Sequence, residues 1–118
     1  EWRTWTAEDG LGRQPVGAVV RDSSGRLWVS QKLRLFRGQE SGGKVQWQGR
    51  DLPQRVETAA SGVGGDLWIG GETGVARIDS AGGVRWFGAA HGLPAEPVVD
   101  VAPDRAGGVW IATRQGLY

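Results

Sequence analysis

Few side chains in this sequence are equipped for chemistry, and their spacing limits what they can do. His91 is the single histidine and stands in the run His91-Gly92-Leu93-Pro94. General acid–base catalysis would need that ring beside a second titratable group, yet no second histidine or paired carboxylate recurs at a fixed spacing from it. It reads as a surface turn residue. The absence of cysteine excludes thiolate chemistry and disulfides. The cluster Gly62-Val63-Gly64-Gly65 lacks the Lys-Ser/Thr and the helix that a phosphate loop needs. Asp22 and Asp104 each stand three residues before a glycine, a spacing that suits turn capping through side-chain bonds to backbone N–H groups better than metal ligation. The expectation is a chain with no catalytic residue, no metal ligand and no cofactor.

What remains is turns and aromatics, and these are abundant. The 118 residues include 21 Gly and 7 Trp. Each mid-helix glycine costs about 1 kcal/mol relative to alanine, so a helical protein is excluded. Disorder is excluded as well, because 39% of the chain is hydrophobic and the tryptophans need burial. Net charge is +1, too small a field for general nucleic-acid binding. The halves differ: residues 1–50 hold nine Lys/Arg against five Asp/Glu, or +4, and residues 51–118 hold five against eight, or −3. The basic stretch through Lys32, Arg34, Arg37 and Lys44 reads as a solvated edge. No apolar run approaches 18 residues, so no membrane contact is expected of this segment. The chain opens on Glu1 rather than Met, the pattern of a mature or excised piece.

The elements that must position any site come from an internal repeat. Gly25-Arg26-Leu27-Trp28-Val29-Ser30, Gly65-Asp66-Leu67-Trp68-Ile69-Gly70 and Gly107-Gly108-Val109-Trp110-Ile111-Ala112 share one pattern, with Trp spacings of 40 and 42. Twelve residues before each Trp stands Val16, Val56 or Val98, and nine before it Val19, Ala59 or Val101. Four short strands per period are predicted, at 16–21, 26–30, 34–37 and 44–48 in the first copy. Gly25, Gly65 and Gly107 start the second strand, while Gly74 and Gly116 turn it into the third. Leu67-Trp68-Ile69 and its counterparts are apolar on successive positions, so both faces of that strand must be covered. A four-stranded antiparallel unit recurring every 40 to 45 residues and buried on both faces describes a β-propeller blade. Trp28, Trp68 and Trp110 are then core residues, and Trp5, Trp47, Trp86 and Phe87 pack between blades.

The run of an inner strand, Gly, Leu-Trp-Ile, Gly-Val and a Gly-Leu-Pro loop resembles the two-component regulator propeller repeat, most clearly at residues 65–77 and 91–117. The first copy departs from it, with Arg34 at the Gly74 position and no Gly-Leu-Pro loop at 50–53. The resemblance implies an all-β fold of three blades in a larger ring, with repeats at about 7–48, 49–88 and 89–118. Residues 1–6 would supply the outer strand of the last blade. It also implies a non-catalytic sensor module outside the cytoplasm, in the periplasm. Ligands of such propellers sit at the channel face, on loops that carry Lys32, Arg50, Glu72, His91, Glu96 and Arg114, with Asp9, Arg13 and Gln115 nearby. Their mixed charges suit a small polar ligand or a glycan. A streptogramin-lyase-like enzyme is the second reading and a ligand-free assembly unit the third. Closed propellers have roughly 4 to 8 blades. Three blades cannot close alone, so a head-to-tail dimer of six blades is expected first, a trimer second, or completion within a longer parent.

Overall fold

The computed structural model describes residues 11–118, and the expected strand at 2–6, with Trp2, Trp5 and Asp9, lies outside the described residues. Ten strands follow in three antiparallel sheets. The first is β1 (Val16–Arg21), β2 (Leu27–Gln31), β3 (Arg34–Ser41) and β4 (Lys44–Asp51), paired in chain order. The second repeats it with β5 (Val56–Ser61), β6 (Leu67–Gly71), β7 (Val75–Ile78) and β8 (Val84–Phe87). The third has β9 (Val98–Pro103) and β10 (Val109–Thr113), extended by an antiparallel bridge from Ala112 to Leu117. Among the described residues there is no α-helix, only short 3₁₀ turns at Val63–Gly65 and Ala89–His91.

The three sheets share one register. Val19 pairs with Val29, Ala59 with Ile69 and Val101 with Ile111, and each first strand carries one unpaired extra residue, at Gly17, Glu57 and Val99. Gly25, Gly65 and Gly107 all have φ between 83° and 91°, the left-handed region that glycine enters without steric cost. Asp22 completes its turn as expected: its carboxylate accepts the N–H groups of Ser24 and Arg26 at 2.9 and 3.0 Å. Asp104 does the same for Ala106 and Gly108. Asp79 builds a third copy at the β7–β8 turn, accepting from Ala81 and Gly83.

Two expectations about strand ends are corrected. β3 and β4 run well past 37 and 48, because Gly42 and Gly43, with φ of 59° and 77°, make a two-residue hairpin whose twist lets the ladder continue. Gly74 does not supply a positive φ. A Cβ there would collide with the Phe87 carbonyl oxygen, so close approach of β8 is what requires glycine. In the first sheet the positive φ, 50°, falls on Lys32.

The core lies between sheets. Trp28 and Leu35 of the first sheet pack with Leu52 and with Val56, Leu67, Ile69, Ala76 and Ile78 of the second. Trp68 and Val75 of the second sheet pack with Val98, Val101 and Ile111 of the third. Trp86 joins the first cluster and Phe87 the second, as inter-sheet packing residues. Leu67 and Ile69 thus face one neighbour and Trp68 the other, which is why this strand is apolar at successive positions. Full burial of each such aliphatic side chain stabilises by about 1.5–3 kcal/mol, so inter-sheet packing dominates the fold. Trp110 corrects the expectation for its position. It is 54% exposed where Trp28 and Trp68 are 7% and 8% exposed, because among the described residues no sheet follows the third.

Candidate functional site

The β2–β3 and β6–β7 turns and the segment after β10 are equivalent by register, and each is stitched to the lead-in of its own sheet. Gln54 Oε1 accepts the backbone N–H of Thr73 at 2.8 Å, and Glu96 Oε1 accepts that of Gln115 at 2.9 Å. In the first sheet Gln31 Nε2 donates to the Gln14 carbonyl at 2.8 Å. Gln14, Gln54 and Glu96 each stand two residues before the valine that opens the inner strand. A hydrogen bond from Thr113, with those from Gln115, outweighs desolvation and holds the Glu96 carboxyl below the usual glutamate range. Glu96 is therefore occupied by its own loop.

Of the other sequence-derived candidates, Lys32, Glu72 and Arg114 are exposed at the equivalent turns, with alternating sign. Arg50 is not among them. It lies within β4 opposite Leu35, and its guanidinium donates to the Gly82 carbonyl, at the β7–β8 turn, at 3.2 Å. His91 sits in the 3₁₀ turn after β8, its ring edge-on to Phe87 at 5.2 Å between centroids, with Nδ1 accepting the Gly88 N–H at 3.4 Å. It borders an apolar hollow of about 200 Å³ formed by Trp68, Val75, Leu93 and Ile111. Among the described residues no carboxylate lines that hollow.

The first strands of adjacent sheets lie side by side, β1 against β5 and β5 against β9. Between β1 and β5 is a polar hollow of about 230 Å³ lined by Val16, Gly17, Lys32, Arg55, Val56 and Glu57. Arg55 and Glu57 form an exposed ion pair at 3.8 Å, and Lys32 leaves a second cation beside it. Between β5 and β9, Thr58 Oγ1 donates to Asp100 at 3.4 Å. Arg55 and Glu57 were not expected. The available signal was Glu57 itself, a charge inside an otherwise apolar strand at the position where the other copies have Gly17 and Val99. These groups can hydrogen-bond and ion-pair with a polar ligand, and they contain no nucleophile–base pair. Among the described residues no group of three or more His, Asp or Glu side chains could hold a metal, and no helix is long and apolar enough to cross a membrane.

The family model for the two component regulator propeller matches residues 92–115, the segment from the Gly-Leu-Pro loop through β10. Over that segment the chain is similar to that repeat. Its fold is similar to the extracellular domain of a hybrid two component system from B. thetaiotaomicron, with a TM-score of 0.79 at 18% identity over 98% of this chain and 17% of that one. A second such extracellular domain from the same organism aligns with a TM-score of 0.51 at 17% identity, over 91% of this chain and 20% of that one. A catalytically inactive virginiamycin B lyase from Staphylococcus aureus, crystallised with quinupristin, aligns with a TM-score of 0.69 at 14% identity, over 86% of this chain and 35% of that one. This propeller segment thus spans about a fifth to a third of the length of these structures. The sequence matches none of the curated proteins compared with it.

Proposed function

We propose that the chain is a segment of an extracytoplasmic, sensor-type β-propeller whose three sheets are blades, and that it recognises a ligand rather than transforming one. The ligand class is a small polar molecule or glycan with an anionic group. The observation that carries this reading is the hollow between β1 and β5, where Lys32 and Arg55 leave an excess of one positive charge over Glu57 beside the inner strands. The likeness to extracellular domains of hybrid two component systems supports the extracytoplasmic placement.

Calorimetry of the chain against acidic and neutral oligosaccharides tests it. Binding of an acidic member, weakened about tenfold or more by Lys32→Ala and by Arg55→Ala, is the expected result, because hydrogen bonds to charged groups contribute about 1.5–3 kcal/mol. No binding, or binding indifferent to both changes, overturns it. The fold likeness to a lyase supports an enzymatic reading as the second one, but the packing of His91 against Phe87, with no carboxylate among the described residues lining its hollow, is unsuited to general-base work. Turnover of quinupristin that His91→Ala abolishes would favour the lyase.

A further inference from the structure

The arginines of the first two sheets differ in what they face. Arg26, Arg34, Arg55 and Arg77 each pair with a carboxylate, on Asp22, Asp51, Glu57 and Asp66. Arg37 and Arg50 pair with none among the described residues; their guanidiniums donate to neutral oxygens, the Gln48 side-chain amide at 2.6 Å and the Gly82 carbonyl at 3.2 Å. The register explains Arg37. It stands opposite Trp28 as Arg77 stands opposite Trp68, and Arg77 is neutralised by Asp66, two residues before its tryptophan. The first sheet has a second cation, Arg26, at that position, and the partner of Arg26 is Asp22.

The two cations without a carboxylate share a hollow. Arg37 lies opposite Gln48 on β4, and Arg50 stands two residues further along the same face, a diagonal of roughly 7–8 Å that long side chains span. With Trp28 and Leu35 beneath them and Gly82 across from them, they line a hollow of about 320 Å³ at the junction of the first and second sheets. Its walls are β2, β3 and β4 on one side and the β7–β8 turn on the other, so it is a junction inside the stack rather than one of its ends. Through Arg37 and Gln48 it continues into a second hollow of about 460 Å³ that adds Gln39 and Gln46. Among the described residues no carboxylate lines either one. Two like charges in one hollow repel, and an anion between them turns that cost into attraction.

We propose that this hollow binds a tetrahedral oxyanion, the phosphate or sulfate group of a small ester whose polar body lies along Gln39, Gln46 and Gln48. The site is separate from the hollow between β1 and β5 and does not depend on the sheets being blades. Each guanidinium carries five N–H donors in a planar fork and spends one on its neutral partner, so most remain for a ligand. A carboxylate has two oxygens, which a single guanidinium satisfies in bidentate fashion. A phosphate or sulfate monoester has three terminal oxygens pointing in different directions, and two guanidiniums reaching in from different strands match it. The buried Trp28 and Leu35 keep water from one side of the hollow, which strengthens the attraction between ion and guanidinium. The glutamine amides beyond it each offer donors and an acceptor, as hydroxyl groups on the rest of the ester require.

Calorimetric titration of the 118-residue chain with glucose 6-phosphate, glucose 6-sulfate, inorganic phosphate and acetate tests the site. The esters should saturate it at one equivalent per chain, more tightly than inorganic phosphate, and acetate should bind at least about tenfold more weakly than any of them. The tighter of the two esters identifies the group, and either order supports the site. Arg37→Gln and Arg50→Gln should each weaken ester binding about tenfold or more, and Arg50→Lys, which keeps the charge and loses the fork, should remain weakened. Arg105→Ala, on the β9–β10 turn, removes a like charge outside the hollow and should leave affinity within about twofold of wild type. Urea melts of the variants separate a lost site from a lost fold, and Arg37→Gln decides the matter if Arg50→Gln does not fold. No saturable binding, acetate as tight as the esters, or equal weakening by Arg105→Ala overturns the proposal. So does inorganic phosphate binding as tightly as the esters, which would leave the second hollow without a role. Weakening by Lys32→Ala without weakening by Arg37→Gln would put the anion between β1 and β5, and that result overturns this site while supporting the other.

Discussion

The first and third sheets carry the same residues at corresponding positions in unlike surroundings. Trp28 and Trp110 occupy one position on the second strand, and Asp22 and Asp104 occupy one position in the turn before it. Trp28 is buried against the second sheet, its indole N–H donates to Asp22 at 2.8 Å, and the guanidiniums of Arg26 and Arg37 each lie 6.0 Å from its ring. Among the described residues Trp110 has neither a covering sheet nor a bond to the Asp104 carboxylate. The backbone turn is nonetheless the same in both, with paired Asp-to-backbone bonds and a left-handed glycine. Turn geometry is therefore local to each repeat, and burial is supplied by the following one.

The largest expected break in this comparison is at the tryptophans. Trp28→Ala should cost about 3–5 kcal/mol, since it removes the largest side chain from a packed cluster. Trp110→Ala should fall within about 0.5 kcal/mol of wild type, as exposed substitutions do. Urea melts followed by far-UV circular dichroism read both. Equal losses at the two sites would mean that the third sheet is covered in solution by something within the chain.

A smaller contrast is expected at the residue two places after each tryptophan. A Cβ on Gly70 would stand 2.5 Å from Thr58 Cγ2 on the paired strand and 2.8 Å from Val98 Cγ1 across the second junction, so Gly70→Val overpacks both and should cost about 1–3 kcal/mol. Ala112→Val at the uncovered face should be nearly silent. The same melts decide it, and a silent Gly70→Val would show that the second and third sheets are not in contact.

These contrasts also show where the sequence could be read and where it could not. Gly25, Gly65 and Gly107 were legible as turn residues because a positive φ is a property of four or five consecutive residues, and the repeat displayed them three times. Val16–Arg21 was legible to the residue as an inner strand for the same reason. The inward role assigned to Trp110 failed because burial depends on what lies next to a sheet, and a repeat states only that something should. Arg50 was placed on a channel loop, but the Gly42–Gly43 hairpin carries β4 through it, a consequence of twist propagated over eight residues. Asp79-Ser80-Ala81-Gly82 has the spacing of Asp22-Ser23-Ser24-Gly25, but it lies between the third and fourth strands, outside the register at which the repeat displays that turn. The hollow at Lys32, Arg55 and Glu57 joins residues from two copies, and no single copy contains it.

At the aspartates the difference narrows further. Asp22→Asn keeps the shape but turns an amide toward the Trp28 indole or the turn N–H groups, and it removes the pair with Arg26 at 3.0 Å; the loss should be about 2 kcal/mol. Asp104→Asn, on an exposed turn with backbone donors only, should lose about 0.5–1 kcal/mol. If the two losses are the same, the Trp28 and Arg26 bonds contribute nothing beyond the turn.

The smallest effect is a pH dependence at Asp22 in the first sheet. Burial pushes the Asp22 carboxyl up, but the bonds from Trp28, Arg26 and Ser24 and the Arg26 charge together outweigh it and hold the group below its ordinary 3.8. The folded state therefore binds fewer protons than the unfolded one between the folded value and 3.8, and the stabilisation is complete above that window. It is lost as pH falls from 3.8 through the folded value. Stability measured from pH 6 to pH 2 should decline more steeply below 3.8 for wild type than for Asp22→Asn, the two curves converging at the acid end. Parallel curves for Asp22→Asn would mean that the indole and guanidinium bonds do not favour the carboxylate over the acid, and the distinction between the two turns would then reduce to backbone geometry they already share.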